Sequence, residues 1–359
     1  MAVLSATDIA HPAIEALFTI DEETGMTGAK ELDKTILNSS ILLNLDTEED
    51  DEIDIGCAGG IDVTATRAFE MIEVPIAFTT KSITVKGLQG GHSGMDIIKG
   101  LGNANKIITR ILDAMNKKGT VLLTSMVGGS LRNAIPREAN VIVSFDNDFQ
   151  VLDKFEACRK AIHAEFALLE PNLTITMEDA LAARSLSSEH TTQLFQVILG
   201  IHNGVYRMSP DIAGLVEASN NLAQVTLQDG SLEIACLTRS SVNSSKDDLS
   251  RSISGVMKLG GLETSLSGDY PGWQPNANSA MLKIAKGKYL ALFGVEPRVV
   301  ACHAGLECGI LGERYTGLDM ISFGPNIRRA HSPDEHVEIK SVQKFWRFLQ
   351  EILKEVPLQ

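Results

Sequence analysis

Short apolar runs that alternate with longer amphipathic segments give this chain the pattern of an α/β protein. Two apolar runs lie near the N-terminus, at 13–21 and 40–46, and both end in a carboxylate. We predict that both are buried strands, with a short helix at 27–32 between them. Ligands of open α/β sheets bind beyond the carboxyl ends of the strands, so these acidic ends mark a candidate site.

The pattern changes near residue 78 and becomes that of an α+β unit. It predicts, in chain order, a strand at 82–87, a helix at 96–116, strands at 120–129 and 139–148, a helix at 153–169 and a strand at 173–178. This order of elements is that of a ferredoxin-like unit. A weaker second unit is predicted to follow, with helices at 189–201 and 246–259 around a hairpin at 223–240. An Asp-Gly pair inside that hairpin favours a tight turn.

The pattern returns to α/β in the last part of the chain. Helices are predicted at 276–293 and 340–355, and strands that run into loops at 298–305 and 318–325. The middle of the chain is therefore interpreted as an insertion between two parts of one α/β domain. We predict boundaries that give the segments 1–78, 79–262 and 263–359.

Charge and cysteine content narrow the class of protein. The net charge of −14 repels phosphate backbones and no basic stripe offsets it, so nucleic acid is not an expected partner. No apolar run reaches the roughly 18 residues that span a bilayer, and no membrane association is expected. The five cysteines show no Cys-x-x-Cys spacing, which favours reduced thiols and a cytoplasmic protein.

Carboxylates at the two predicted strand ends are the first candidates for chemistry. Asp21, Glu22 and Glu23 are adjacent, and burying them together requires a cation or a shared proton. The alternative is a solvated acidic turn before a helix. Asp46 ends the second apolar run, and carboxylate oxygens together with imidazole nitrogen suit zinc, cobalt or manganese.

Two further clusters contain histidine. His331 lies in the loop segment GPNIRRAHSPDEHVEI, where a lone histidine is weak evidence by itself. His92 lies in GGHSG, whose glycines allow the backbone to approach a ligand closely. Arg132 and Asn133 in GGSLRNAIPRE offer donors to a carboxylate or an oxyanion. The alternative for both glycine-rich segments is a pair of ordinary turns.

The combination of motifs is more specific than any one of them. The chain contains, in this order, TIDEETGMTGAKEL, LLNLDTEEDDEIDIGCAGGID, VKGLQGGHSGMDI, GGSLRNAIPREA, CLTRSSVNS, YPGWQPNANS, HAGLECGI and GPNIRRAHSPDEHVEI. Together they closely resemble the bacterial aminoacyl-histidine dipeptidases, within the broad family of zinc aminoacylases, glutamate carboxypeptidases and carnosinases. The resemblance extends over essentially the whole chain.

This resemblance implies an α/β zinc-peptidase catalytic domain, formed by 1–78 and 263–359, that is interrupted by an α+β lid domain at 79–262. It implies two zinc ions per complete site, with manganese or cobalt as substitutes, and dipeptide substrates that include Xaa-His. It also implies a homodimer formed through the lid.

Site residues follow from the same resemblance. Glu22 matches the general base that takes a proton from a metal-bound water, and His92 matches a lid histidine that stabilises the developing oxyanion. Arg239 matches the arginine that holds the substrate carboxylate, and Asn133 resembles a substrate-binding residue of the lid. The matched metal ligands are Glu23, Asp46 and His331.

One departure from the family pattern bears on activity. The family also uses an upstream His-x-Asp motif and an upstream bridging aspartate, and the printed sequence has no His-x-Asp before Asp21. We therefore expect an N-terminally truncated member of the family with little activity by itself. Two alternatives stay open, namely an inactive remnant and a related aminoacylase or tripeptidase.

Overall fold

The computed structural model of the chain describes residues 2–22, 25–146, 149–330 and 332–356. The described helices are α1 (Ala2–Ser5), α2 (Thr27–Glu31), α3 (Ala104–Asn116), α4 (Phe149–Phe166), α5 (Ser188–Gly200), α6 (Asn243–Leu259), α7 (Ala280–Phe293), α8 (Glu307–Arg314) and α9 (Ile339–Glu355). The described strands are β1 (Ile41–Asn44), β2 (Glu52–Cys57), β3 (Gly59–Ala68), β4 (Ile72–Glu73), β5 (Phe78–Lys86), β6 (Gly91–His92), β7 (Val121–Gly128), β8 (Ala134–Ile135), β9 (Ala139–Asp146), β10 (Thr174–Asp179), β11 (Arg184–Ser185), β12 (Gly204–Met208), β13 (Val216–Gln228), β14 (Ser231–Ser240), β15 (Glu263–Tyr270), β16 (Arg298–Cys302), β17 (Asp319–Ser322), β18 (Ile327–Arg328) and β19 (His336–Val337).

The smaller of the two main sheets joins the two ends of the chain. Its four strands lie in the order β1-β17-β2-β16, with parallel pairing of β1 to β17 and of β16 to β2. Helices α7 and α9 pack on it through an apolar cluster that includes Tyr289, Phe348 and Ile352. The strands predicted from 40–46 and 318–325 are confirmed as β1 and β17. This sheet therefore depends on residues that lie more than half of the chain apart.

The prediction of a strand at 13–21 is wrong. Residues 10–20 have no regular secondary structure, and Phe18 and Ile20 are 77% and 73% exposed. Leu17 does pack beside α8 and Leu42 of β1. An apolar run forms a strand only where a neighbouring strand accepts its backbone hydrogen bonds, and this segment has no ladder to any described strand.

The first ferredoxin-like unit is confirmed by its strand order. Strands β10, β5, β9 and β7 are neighbours in that order and pair antiparallel, so the fourth strand lies beside the first and the third beside the second. Helices α3 and α4 pack together, and α3 also contacts β5, β7 and β9. The helix predicted at 96–116 begins only at α3, because the Asn103 side chain caps it by accepting from the Lys106 N–H at 3.2 Å.

A second ferredoxin-like unit continues the same sheet. Strands β13, β14, β3 and β15 follow in that order, with α5 and α6 as the two helices. The unit takes its first strand from β3, which precedes the whole first unit in the chain. The predicted hairpin turn is confirmed, because Asp229 and Gly230 have φ values of 48° and 79°. Pairing of β7 with β13 makes the two units one nine-stranded sheet, which also includes β12.

The core of the larger sheet lies between its strands and the helices. Fully buried Ile108 of α3 and Phe195 of α5 share one apolar cluster with Val141 of β9 and Ile234 of β14. Strands β3 and β15 lie outside the predicted segment 79–262 and hydrogen-bond into this sheet. The three predicted segments themselves stay a prediction.

Candidate active site

A row of residues crosses the strands of the second unit. Ser219 of β13 lies opposite Arg239 of β14, Arg239 lies opposite Gly60 of β3, and Gly60 lies opposite Tyr270 of β15. Residues that are directly opposite on neighbouring strands present their side chains on the same face. Gly60 leaves the space that the Tyr270 ring occupies, since a Cβ at residue 60 would lie 2.6 Å from Tyr270 Oη.

Arg239 is held in this row by hydrogen bonds on two sides. Its side chain is buried, with a relative exposure of 5%, and Nη1 donates to Tyr270 Oη at 2.9 Å. Its Nε donates to Ser93 Oγ at 3.5 Å. Burial raises the pKa of the Tyr270 phenol, and the Arg239 charge opposes that rise, so the phenol is neutral at pH 7. The buried cation is thus oriented but has no carboxylate within salt-bridge distance among the described ion pairs.

His92 has a defined tautomer. Its Nδ1 accepts from the backbone N–H groups of Gly94 at 3.2 Å and Met95 at 3.1 Å, so the ring proton is on Nε2. Burial lowers the pKa of His92, the Arg239 charge lowers it further, and Asp96 opposes both. The ring is therefore neutral near pH 7 and presents an Nε2–H donor, which is the group that the predicted oxyanion role requires.

The loop that carries His92 is anchored at both ends by one buried carboxylate. Glu170, which is 2% exposed, accepts from the Gln89 N–H at 2.7 Å and from the Gly102 N–H at 2.8 Å. These two donors lie on opposite sides of His92 in the chain. Glu170 therefore fixes the position of the histidine loop on the first ferredoxin-like unit.

The segment after β16 joins the two sheets. His303 Nε2 lies 2.8 Å from Ser219 Oγ, and a Cβ at Gly94 would lie 2.0 Å from the His303 carbonyl oxygen. A Cβ at Gly305 would lie 3.0 Å from the Tyr270 ring and 3.3 Å from Met26 Cε. Met26, four residues after Glu22 in the chain, therefore lies near the Tyr270 ring of the Arg239 row.

Asp46 lies at the carboxyl edge of the smaller sheet, next to the loop that leads to residue 331. A Cβ at Gly324 would lie 1.9 Å from the Thr47 carbonyl oxygen, and the Ile327 N–H donates to the Glu48 carbonyl at 3.0 Å. Burial raises the pKa of the Cys308 thiol, and Cys57 and the charge of Asp46 add to that rise. Asp46 is therefore also near the start of α8.

The other predicted site residues have these positions. Glu22 is half-buried in a turn and Asp46 is exposed, whereas Glu23 and His331 lie outside the described residues. Within 2–22, 25–146, 149–330 and 332–356, no group of three or more histidine, cysteine, aspartate or glutamate side chains is arranged to hold a metal ion. The predicted metal set therefore stays a prediction.

Asn133 and its neighbour Arg132 differ in their surroundings. Asn133 is exposed, and its backbone carbonyl accepts from the Ser93 N–H at 2.7 Å. Arg132 donates to Thr64 Oγ1 at 2.7 Å and lies 3.5 Å from Asp62, so it is bound to the sheet rather than directed to a ligand. Asn133 supports the serine that contacts Arg239, and its own substrate contact stays a prediction.

Sequence reasoning missed three residues of this region. Ser219, Tyr270 and His303 surround Arg239, and none of them belongs to a local pattern that indicates chemistry. Two of them do stand in longer motifs, since YPGWQPNANS begins at Tyr270 and HAGLECGI begins at His303, and these motifs were the available signal. Their proximity depends on strand pairing, which the sequence does not display.

The fold is that of a class of peptidases. The chain belongs to peptidase family M20/M25/M40, whose family model matches residues 1–355. The predicted resemblance is thereby confirmed at the level of the family, and with it the α/β fold class. No helix in the part of the chain that the structure describes is long and apolar enough to cross a membrane.

Two relatives are similar over nearly the whole chain. The cytosol non-specific dipeptidase of Escherichia coli strain K12 is 40% identical over 360 residues, which cover 99% of this chain and 74% of that protein. The crystal structure of the aminoacylhistidine dipeptidase from Vibrio alginolyticus superposes with a TM-score of 0.95 at 39% identity, covering 100% of this chain and 74% of that one.

Proposed function

We propose that this chain is a metal-dependent dipeptidase that accepts Xaa-His among its substrates. The observation that carries the proposal is the buried Arg239, which is oriented by Ser93 and Tyr270 beside the His92 donor. A guanidinium offers a planar fork that matches a free carboxylate. A short peptide places its C-terminal carboxylate close to the scissile bond, so a carboxylate site at Arg239 selects dipeptides. The names of both relatives support the same substrate class.

Each remaining residue has a proposed role in hydrolysis. The Nε2–H of His92 donates to the carbonyl oxygen of the scissile bond, where negative charge develops. Glu22 accepts the proton of the attacking water and passes it to the leaving amine. Asn133 contacts the substrate from the lid.

The proposed metal ligands are Glu23, Asp46 and His331. The structure supports this set in one respect, because Asp46 and the loop leading to residue 331 lie side by side at one sheet edge. Carboxylate and imidazole donors suit two zinc ions, with manganese or cobalt as substitutes. Bound metal ions would polarise the scissile carbonyl and lower the pKa of a water toward neutrality.

The domain roles, assembly and location are part of the same proposal. Segments 1–78 and 263–359 form the catalytic domain, and 79–262 form the lid, which dimerises with a second copy of the chain. A cytoplasmic location is supported by the cytosolic relative.

Hydrolysis and metal content test the proposal together. The purified chain with added zinc or manganese is expected to release histidine from Xaa-His dipeptides, and a chelator should abolish the release. A complete site binds about two ions per chain, whereas a remnant holds at most about one. Absence of metal-dependent release from any dipeptide would favour the inactive remnant, and faster release from acetylated amino acids or tripeptides would favour the related enzymes.

Arg239→Ala tests carboxylate recognition by calorimetric titration with L-histidine and L-histidinamide. Loss of a charge-assisted hydrogen-bonded pair is expected to weaken histidine binding by about 1.5–3 kcal/mol, with little change for the amide. Arg251→Ala in α6 is the matched control, because Arg251 is exposed and outside the row that contains Arg239. Equal losses for histidine and histidinamide would show that Arg239 does not recognise the carboxylate.

A further inference from the structure

A buried histidine beside Arg239 has one ring nitrogen without a partner. His303 is 6% exposed, and its Nε2 lies 2.8 Å from Ser219 Oγ. Its Nδ1 is buried and has no hydrogen-bond partner among the described residues. A buried polar atom without a partner costs about 1–3 kcal/mol, so such atoms in native proteins commonly meet a ligand or water.

Strand pairing places the His303 ring next to the Arg239 guanidinium. Ser219, which contacts the ring, is the direct cross-strand neighbour of Arg239, and Cβ atoms of such neighbours are about 4.5–5.5 Å apart. The turn that carries Ser93 is a second connection. Ser93 Oγ accepts from Arg239 Nε, and the next residue, Gly94, packs on the His303 carbonyl oxygen.

The charge state of the ring follows from these surroundings. Burial lowers the pKa of His303 to about 3, and the positive charge of Arg239 adds to the effect, as does His92 when it is protonated. The ring is therefore neutral at pH 7 and carries one proton. If the Ser219 hydroxyl donates to Nε2, the proton is on Nδ1, and the unpartnered atom is a donor next to a fixed cation.

We propose that His303 is a second ligand of the substrate's C-terminal carboxylate, donating its Nδ1–H to one oxygen while Arg239 binds the other. A carboxylate satisfies both groups at once, because it brings negative charge to the guanidinium and an acceptor to the imidazole. A peptide N–H at the same place would leave the donor unpaired and face the arginine charge. This inference rests on the proposed function and adds a specificity-determining residue to it.

Two amide variants of His303 test the roles of its two ring nitrogens separately. The amide group of His303→Asn falls near the Nδ1 position and loses the Ser219 contact, whereas that of His303→Gln falls near Nε2 and loses the Nδ1 donor. L-histidine and L-histidinamide are titrated calorimetrically into the full chain treated with chelator, so neither turnover nor metal is needed. His303→Gln is expected to weaken histidine binding about tenfold or more, with His303→Asn less affected and the amide nearly unchanged.

His190→Gln is a matched control. His190, in α5, also has a buried Nδ1 without a partner among the described residues. Its Nε2 lies 3.3 Å from Arg67 Nη2 in β3, seven residues along that strand from Gly60 of the Arg239 row. This variant should bind both probes as the unaltered chain does. Equal weakening by the His190 and His303 variants would identify a general loss of packing and overturn the proposal.

A spectroscopic measurement keeps the proposal testable if His303→Gln fails to fold. In ¹⁵N-labelled chain, the His303 Nδ1 signal should show a protonated nitrogen and shift when histidine saturates the site, and histidinamide should cause no shift. An unprotonated Nδ1, or a signal that histidine does not move, would overturn the inference. The proposed function fails separately if Arg239→Ala binds histidine normally, whereas normal binding by His303→Gln alone removes only this residue from the site.

Discussion

Gly60→Ala tests whether the cross-strand row positions Arg239. The added Cβ would lie 2.6 Å from Tyr270 Oη and 2.7 Å from Cζ, whereas ordinary contacts begin at 3.4 Å. The phenol must therefore move away from residue 60 by about 0.8 Å, because overpacked side chains shift rather than compress. A retreat of that size lengthens the 2.9 Å bond from Arg239 beyond hydrogen-bond distance.

Two effects of different kind are expected from this substitution. Overpacking should lower the free energy of unfolding by about 1–3 kcal/mol. Loss of one partner of the guanidinium should also weaken L-histidine binding, since Arg239 is then held by Ser93 alone. Gly59→Ala should cost more stability, because its Cβ would meet backbone atoms, at 2.4 Å from the Tyr270 carbonyl oxygen and 2.5 Å from the Gly272 nitrogen.

Urea unfolding followed by tryptophan fluorescence measures the first effect. The chain has two tryptophans, and Trp273 is buried three residues after Tyr270, so a Trp346→Phe background isolates it. Gly255→Ala in α6 is the control, because no atom lies within 4 Å of its Cβ position and alanine favours the helix by up to about 1 kcal/mol. If Gly60→Ala matched Gly255→Ala in stability and bound histidine normally, the row would not position the arginine.

Two further predictions concern pH and domain stability. His303 has its pKa lowered to about 3 in the folded chain, so below about pH 6.5 the unfolded chain binds more protons and stability falls as the pH decreases toward 3. Between pH 7 and 5, the free energy of unfolding measured in urea should fall by about 2 kcal/mol more for the unaltered chain than for His303→Gln. Equal losses would show that the pKa of His303 is not lowered in the folded chain. Limited proteolysis should leave a resistant fragment near 59–270, which contains the nine-stranded sheet, after cleavage in the irregular segment 10–20. Cleavage inside that sheet before the segment 10–20 would show that the sheet is not the more stable unit.

Local patterns were sufficient where an element depends on its own residues. The alternation at 82–87 predicted β5, and the Asp-Gly pair at 229–230 predicted a hairpin turn that the positive φ values confirm. The order of strands and helices predicted the first ferredoxin-like unit. The same patterns did not decide the outcome at 13–21 or the role of β3, because both depend on whether a distant strand offers an edge for pairing.

The candidate site was likewise predicted from the sequence only in part. The sequence by itself determined the family and singled out His92 and Arg239, because those residues stand in long motifs. Only the tertiary structure decided that Tyr270, Ser219 and His303 surround Arg239. Ser219 and Arg239 belong to one hairpin, whose turn fixes their register, but Gly60 and Tyr270 come from strands that are distant in the chain. Which distant strands become neighbours is decided by hydrogen bonding and packing in the folded chain, and no local pattern encodes that choice.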